Sequence, residues 1–335
     1  MHSWLQEHLR CPRDHLTLMQ EGASRLVCPN GHSFPIVEDV PIMLLQDKPD
    51  TEAVFHHTLE HVARGFEDPR KHNPLLPGEI DHIVQRLVAG SCGRMYLPLI
   101  NKLTRYPVPR LPMEAGNGER FLDIGCAWGR WSLAAAKSGY CAVGIDPSIY
   151  NVFAARRVAV QLGYTDNIYL VADGRFLPFG EACFDTAFSY SCLQHMSEDD
   201  MRLVLYEIRR TLKPNRSSLI EIPNKWGLWN LYVQAKRGFG TPSQQDVRYY
   251  SPQRVKAIFD ECIGPSKISA DGFFTINPQL SDLDILPMRY KLVVLLSEGL
   301  RHASALIPGL KYLADSLYFT SSRETPRPVT NQAPN

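Results

Sequence analysis

Through the middle of the chain, short apolar runs alternate with longer stretches whose apolar residues recur every three or four positions. Residues 121–124, 142–145, 168–172, 184–191 and 219–222 are apolar over the length of a strand. The spacing predicts helices over 128–138, 148–161 and 197–212 between them. The third places Met201, Leu205, Ile208 and Leu212 on one face, with Ser197 and Asp200 spaced as a capping box. Strands that alternate with helices predict a parallel sheet covered on both faces, an α/β fold. A further helix is expected from Ser251 as N-cap with Pro252 in its first turn, and further strands over 268–274 and 316–321. Between those strands, 279–314 is an apolar helical insert expected to pack on the sheet. Its Arg289, Lys291, Arg301 and Lys311, beside 292–296 and 306–310, leave contact with anionic lipid as the alternative.

The ends of the chain follow other patterns. Residues 1–46 are dense in Cys, Pro and His and close on an apolar stretch broken by prolines, which suits short strands and a turn. Residues 51–106 are predicted helical, with Pro69, Pro74 and Pro77 between segments. Alternate prolines over 106–112 make a stiff connector, because they forbid helix and remove donors. The expected division is a head over 1–46, a helical bridge and linker over 47–112, a body over 113–324, and a disordered tail over 325–335.

Composition narrows the class of protein. With 335 residues, 44% hydrophobic and 21% charged, the chain is neither collagen-like, coiled-coil nor wholly disordered. A net charge of +1 gives no global field toward nucleic acid or membrane. The distribution is uneven: residues 1–50 hold 4 basic and 7 acidic groups, whereas 201–335 hold 18 and 11. The first residues lack the pattern of a secretory signal, and no apolar run approaches the ~20 residues of a spanning helix. Eight cysteines spread over the whole length do not form a disulfide framework, so a reduced, cytoplasmic compartment is expected.

The candidate chemistry begins at Leu122-Asp123-Ile124-Gly125-Cys126-Ala127-Trp128-Gly129, where a strand turns through glycines into a helix. Open α/β sheets bind ligands at this edge. The next strand ends in Asp146-Pro147, and a carboxylate there can accept both hydroxyls of an adenosine ribose. A third acid, Asp173, follows the third strand and can meet an adenine amino group. Asp123 would repel a pyrophosphate but can hold an ammonium group, which favours S-adenosylmethionine over a dinucleotide.

On these motifs, together with Gly144-Ile145-Asp146, Leu177-Pro178-Phe179, Phe184-Asp185, Leu193-Gln194-His195-Met196 and Leu212-Lys213-Pro214, residues ~115–265 resemble class I S-adenosylmethionine-dependent methyltransferases of the type-11 kind. The resemblance implies a Rossmann-like seven-stranded sheet. It implies that Asp123, Gly125 and Gly129 serve the methionine end, Asp146 with Pro147 the ribose, and Asp173 with Gly174 the adenine. Tyr190 and Ser191 are expected near the sulfonium. Ala127 and Trp128 stand where the family often has glycine and a small residue, and Asn215 replaces its usual glycine.

A methyl acceptor with an O–H or N–H must lose a proton, and imidazole titrates near neutral pH. His195 is therefore the candidate base, with Gln194 as its orienting neighbour. Tyr249 and Tyr250, with Trp226, Trp229 and Tyr232, are either ordinary packing or part of a substrate lid. In the head, Cys11, His15, Cys28 and His32 repeat a C-x3-H spacing that suits tetrahedral zinc. This head resembles the zinc-ribbon-like segment of some ribosomal-RNA guanine methyltransferases, whose first knuckle is Cys-x-x-Cys. Asp14 occupies the second cysteine's place, so either Asp14 or His15 completes the set or the ribbon folds without metal. The favoured partner is a small-molecule or lipid-like acceptor. Alternatives are RNA, weighed against an acidic head, and a non-catalytic interaction module.

Overall fold

The computed structural model describes residues 1–48, 54–91, 93–240, 246–274 and 277–324, so the segment predicted as a disordered tail lies outside the described residues. The head consists of α1 (Ser3–His8), β1 (Met19–Glu21), β2 (Arg25–Val27), β3 (Ser33–Val37) and β4 (Val40–Pro41). Its four strands form an antiparallel sheet in the order β1-β2-β3-β4. The last hairpin turns through Glu38 and Asp39, both at positive φ, as a tight two-residue turn requires. The bridge supplies α2 (Val54–Ala63) and α3 (His82–Ser91).

The body contains β5 (Arg120–Ile124), α4 (Arg130–Lys137), β6 (Cys141–Asp146), α5 (Ile149–Gln161), β7 (Ile168–Val171), β8 (Phe184–Ser189) and α6 (Glu198–Thr211). It continues with β9 (Leu212–Pro223), α7 (Leu228–Lys236), α8 (Pro252–Cys262), β10 (Ser266–Gly272), α9 (Met288–Leu306) and β11 (Ser316–Ser322). The seven strands run in the order β10-β11-β9-β8-β5-β6-β7. Strands β5 to β9 pair in parallel, and β11 is antiparallel to both its neighbours. The expected α/β, Rossmann-like seven-stranded sheet is present. Chain order reverses between β5 and β8, and open α/β sheets bind ligands beyond the carboxyl strand ends at such a position. The helix starts follow the capping residues: the hydroxyls of Ser148, Ser197 and Ser251 accept from the backbone N–H groups of Asn151, Asp200 and Arg254.

Head and body share one core. Trp4 of α1 packs against Phe179 and Phe184 with ring centroids 6.0 and 5.4 Å away. Beyond β4, Ile42 pairs in parallel with Val171 and Met43 N–H donates to its carbonyl at 2.7 Å, covering the exposed edge of β7.

Three details differ from the sequence pattern. Strand β9 starts at Leu212 rather than 219, because Asn215 at φ +61° turns its N–H onto the carbonyl of Arg323 and so extends the pairing with β11. Residues 226–250, expected only as an aromatic segment, contain α7. The apolar insert turns only Val294 and Ser297 of α9 into the protein, because the stripe that faces the sheet is partly polar.

Candidate functional site

The loop after β5 carries Gly125, Ala127 and Gly129 at φ +75°, +47° and +83°. A Cβ on Gly125 would lie 2.6 Å from Cys192 Sγ, so the close approach of the 191–193 turn requires glycine there. Ala127 pays for its left-handed backbone with roughly 1–2 kcal/mol of strain. Its N–H is held by Asp146 Oδ2 at 3.0 Å, which ties the glycine loop to the end of β6. Asp146 Oδ1 accepts from Ser148 N–H at 2.9 Å and Asn151 Nδ2 at 3.1 Å. The adjoining Pro147 carbonyl accepts from Thr58 Oγ1 at 2.8 Å, so α2 lies over this end of β6.

Asp123 is buried, with Ser132 Oγ donating to its Oδ2 at 2.6 Å. Burial pushes its carboxyl up to about 7; the hydrogen bonds from Ser132 oppose the shift and the charge of Asp146 adds to it. Trp128, which stands where a small residue is usual in the resembling family, is fully buried in the cluster with Tyr106, Val152 and Phe153. Its indole Nε1 has no partner among the described residues.

Asp173 is buried just after β7, with Arg175 donating to its carboxylate from the backbone N–H and guanidinium at 2.8–3.2 Å and also pairing with Asp200. Like the carboxylate of Asp146, it is already engaged within the protein. Gly174 has a packing reason of its own, since a Cβ there would lie 2.9 Å from Ile124 Cγ2.

At the end of β8, Tyr190 stacks on Trp131 with centroids 4.8 Å apart. Its hydroxyl donates to Asp271 Oδ2 and accepts from Asn277 N–H at 3.1 Å. Ser191, at φ +53°, donates its N–H to Glu221 Oε2 at 2.9 Å. Glu221 is buried; that burial, reinforced by the charge of Asp271, pushes it up to about 8. Ser316 Oγ lies 2.5 Å from Glu221 Oε1 and 2.8 Å from Asp271 Oδ2, but its single proton serves one at a time. Sequence reasoning missed Glu221 and Asp271. The signal available was an acid between Ile220 and Ile222, inside an apolar strand. Tyr190, Asp271, Asn277, Arg301 and Tyr318 line a cavity of about 770 Å³; Gln194 and His195 do not.

Gln194 and His195 lie on the short turn Leu193–His195, with Gln194 Nε2 and His195 Nε2 3.1 Å apart. Arg248 clamps the turn by donating to the carbonyls of Gln194 and His195. Burial, then the charge of Arg248, lowers the His195 pKa below its ordinary 6.5. Tyr250 donates to the Met196 carbonyl at 2.9 Å, whereas Trp226, Trp229 and Tyr232 are exposed.

In the head, Cys11, Asp14, Cys28 and His32 converge, their ligand atoms all within 4.8 Å of one another. His15 is not among them. At φ +59° its ring turns outward to α6, with Nε2 4.0 Å from Glu207 Oε1, so Asp14 takes the fourth place.

Residues 121–215 match the family described as a methyltransferase domain. An O-methyltransferase of Aspergillus sclerotiorum, resE, is 35% identical over 117 residues, covering 34% of this chain and 42% of that protein. An uncharacterized methyltransferase of Synechocystis is 28% identical over 126 residues, covering 36% and 57%. A solved structure of a SAM-dependent methyltransferase from Methanosarcina mazei superposes with TM-score 0.45 at 16% identity, over 62% of this chain and 94% of that one. The chain thus spans 42% and 57% of the lengths of these two relatives.

Proposed function

We propose that the chain is an S-adenosylmethionine-dependent methyltransferase that acts on an O, N or C nucleophile of a small-molecule or lipid-like acceptor. The observation that carries this reading is the buried Asp123 beside Asp146, at the edge where the sheet opens. Two neighbouring carboxylates disfavour a phosphate-bearing ligand and favour a cationic nucleoside. The methyltransferase-domain match and the O-methyltransferase names of several relatives support the same chemistry.

The donor chemistry fits the methionine and ribose ends of that cofactor, with Asp123 facing the ammonium group and Asp146 the ribose. The glycine loop, Pro147 and Ser191 are proposed to border the same cofactor, the loop held to Asp146 through Ala127 and Ser191 held by Glu221. Asp173, which Arg175 holds, is proposed with Gly174 for the adenine. When bound, S-adenosylmethionine supplies a methyl group already activated on a sulfonium. The protein then needs to orient the acceptor, exclude water and take up a proton. His195 is proposed for the last role, with Gln194, whose Nε2 lies 3.1 Å from its Nε2, as the neighbour that orients the ring.

The head is proposed to hold zinc through Cys11, Asp14, Cys28 and His32. His32 Nδ1 lies 3.4 Å from Cys11 Sγ, 3.2 Å from Cys28 Sγ and 3.2 Å from Asp14 Oδ2. Those separations are close to the roughly 3.5 Å edges of a tetrahedron with ordinary zinc bond lengths. Such an ion would join the loop after α1 to the β2–β3 turn, a structural role. Thiolate ligands suit the reducing cytoplasmic compartment proposed for the chain.

Incubating cell extract with the protein and labelled S-adenosylmethionine, then sorting label into RNA, protein, lipid and small-molecule fractions, tests the reading. Label in the small-molecule or lipid fraction is expected. Label confined to RNA would replace the acceptor assignment, and no transfer to any fraction would overturn the activity.

A further inference from the structure

Helix α9 is turned the wrong way round for a helix that covers a sheet. Its buried positions are Val294 and Ser297, and Glu298 and Arg301 beside them form an ion pair at 2.7 Å. Its exposed positions Met288, Leu292, Leu295, Gly299, His302 and Leu306 recur at alternating steps of four and three, which makes a single outward stripe. Leu292 is 65% exposed and Leu306 84%. Four of those six residues are large and apolar.

The charge around this stripe has one sign. Between Asp284 and Asp315 the sequence holds a single acid, Glu298, and that acid is paired; Arg289, Lys291 and Lys311 are basic. A second exposed face repeats the pattern. Trp226, Trp229 and Tyr232 stand out at the start and along α7, with Lys225 over the Trp226 ring and Lys236 over that of Tyr232. No acid occurs between Glu221 and Asp246. The segments that lead to them are tied together: Asn224 Nδ2, ahead of α7, donates to the carbonyls of Tyr312 and Ala314, in the segment that follows α9.

We propose that the outward faces of α9 and α7 dock on the surface of an anionic lipid bilayer. Exposed leucine, tryptophan and tyrosine flanked by lysine and arginine match the two components of such a surface, acyl chains and negative headgroups. No helix among the described residues is long and apolar enough to cross a membrane, so the contact is with the helices lying in the interface. The proposal does not depend on the methyltransferase reading, because lipid contact is measured without turnover.

The test is flotation of the full chain with vesicles of phosphatidylglycerol and phosphatidylcholine, against vesicles of phosphatidylcholine alone. Binding to the anionic vesicles is expected, falling about fivefold for each of Arg289→Gln and Lys291→Gln at low salt. The double variant Leu292→Ser with Leu295→Ser should bind at least about tenfold more weakly at an unchanged melting temperature. No flotation with anionic vesicles at low salt overturns the proposal, as does equal flotation of the leucine variant or equal binding to neutral vesicles. A dimer seen by light scattering, lost in the leucine variant while vesicles are ignored, would assign the stripe to a second copy instead.

Discussion

Replacing Asp123 by Asn keeps the shape of the side chain and an oxygen able to accept from Ser132, but removes the ionisable group. In the wild type, the carboxyl is displaced from 3.8 to about 7 by burial. At 1.36 kcal/mol per pKa unit, the three-unit displacement costs the unliganded fold about 4 kcal/mol once the group is ionised, an upper bound before local relaxation. The folded state holds this proton more tightly than the unfolded chain does. Asp123 therefore costs nothing below about pH 4, and its penalty grows as pH rises to about 7. Thermal unfolding of wild type and Asp123→Asn, without cofactor, across pH 4 to 8.5 measures the difference. The variant should match the wild type at the acid end and melt several degrees higher at pH 8. The same variant should lose at least tenfold in affinity for S-adenosylmethionine, since stability is gained where a charge needed for binding is removed. A difference that does not change with pH, or a variant less stable than wild type at pH 8, would refute the reasoning.

His195→Ala should leave cofactor binding intact in calorimetry and slow turnover by roughly 10²-fold for an O–H or N–H acceptor. In the wild type, the acid limb of the rate profile should fall below pH 6.5, because burial and Arg248 lower the imidazole pKa. Glu221→Gln should match the wild type at pH 4 and become progressively more stabilising as pH rises to about 8, with most of the gain already present at pH 7. The folded carboxyl keeps its proton up to about 8 whereas the unfolded chain releases it from about 4.5, so the folded state is penalised across that whole window. Metal analysis of the purified chain should return about one zinc, and Cys28→Ser should return none and lower the protease resistance of residues 1–46.

The sheet was legible because each strand is a short apolar run and each helix carries a one-sided apolar stripe, so the two periods separate cleanly. Ser148, Ser197 and Ser251 marked helix starts through a local hydrogen bond that needs no tertiary information. Asp173 shows where local reading stops. Its position after β7 was legible, but the partnership with Arg175 and Asp200 joins groups up to 27 residues apart in sequence. The cluster of Cys11, Asp14, Cys28 and His32 shows the same limit, since Asp14 and His15 are adjacent and the left-handed turn at His15 sends its ring away. Glu221 and Asp271 were missed because they lie on β9 and β10, either side of β11, where Ser316 bridges them, and no spacing rule links residues on separate strands. The exposure of α9 was hidden for a related reason. An apolar periodicity shows that one face is distinct, but not whether that face turns inward.

The most direct test of the central claim, that the sheet edge at Asp123 and Asp146 takes a cationic phosphate-free nucleoside, is a calorimetric titration of the full chain with S-adenosylmethionine and separately with NAD. The account predicts one molecule of S-adenosylmethionine per chain, binding lost in Asp146→Ala, and no heat from NAD. Saturable binding of NAD, or full affinity for S-adenosylmethionine in Asp146→Ala, would contradict it.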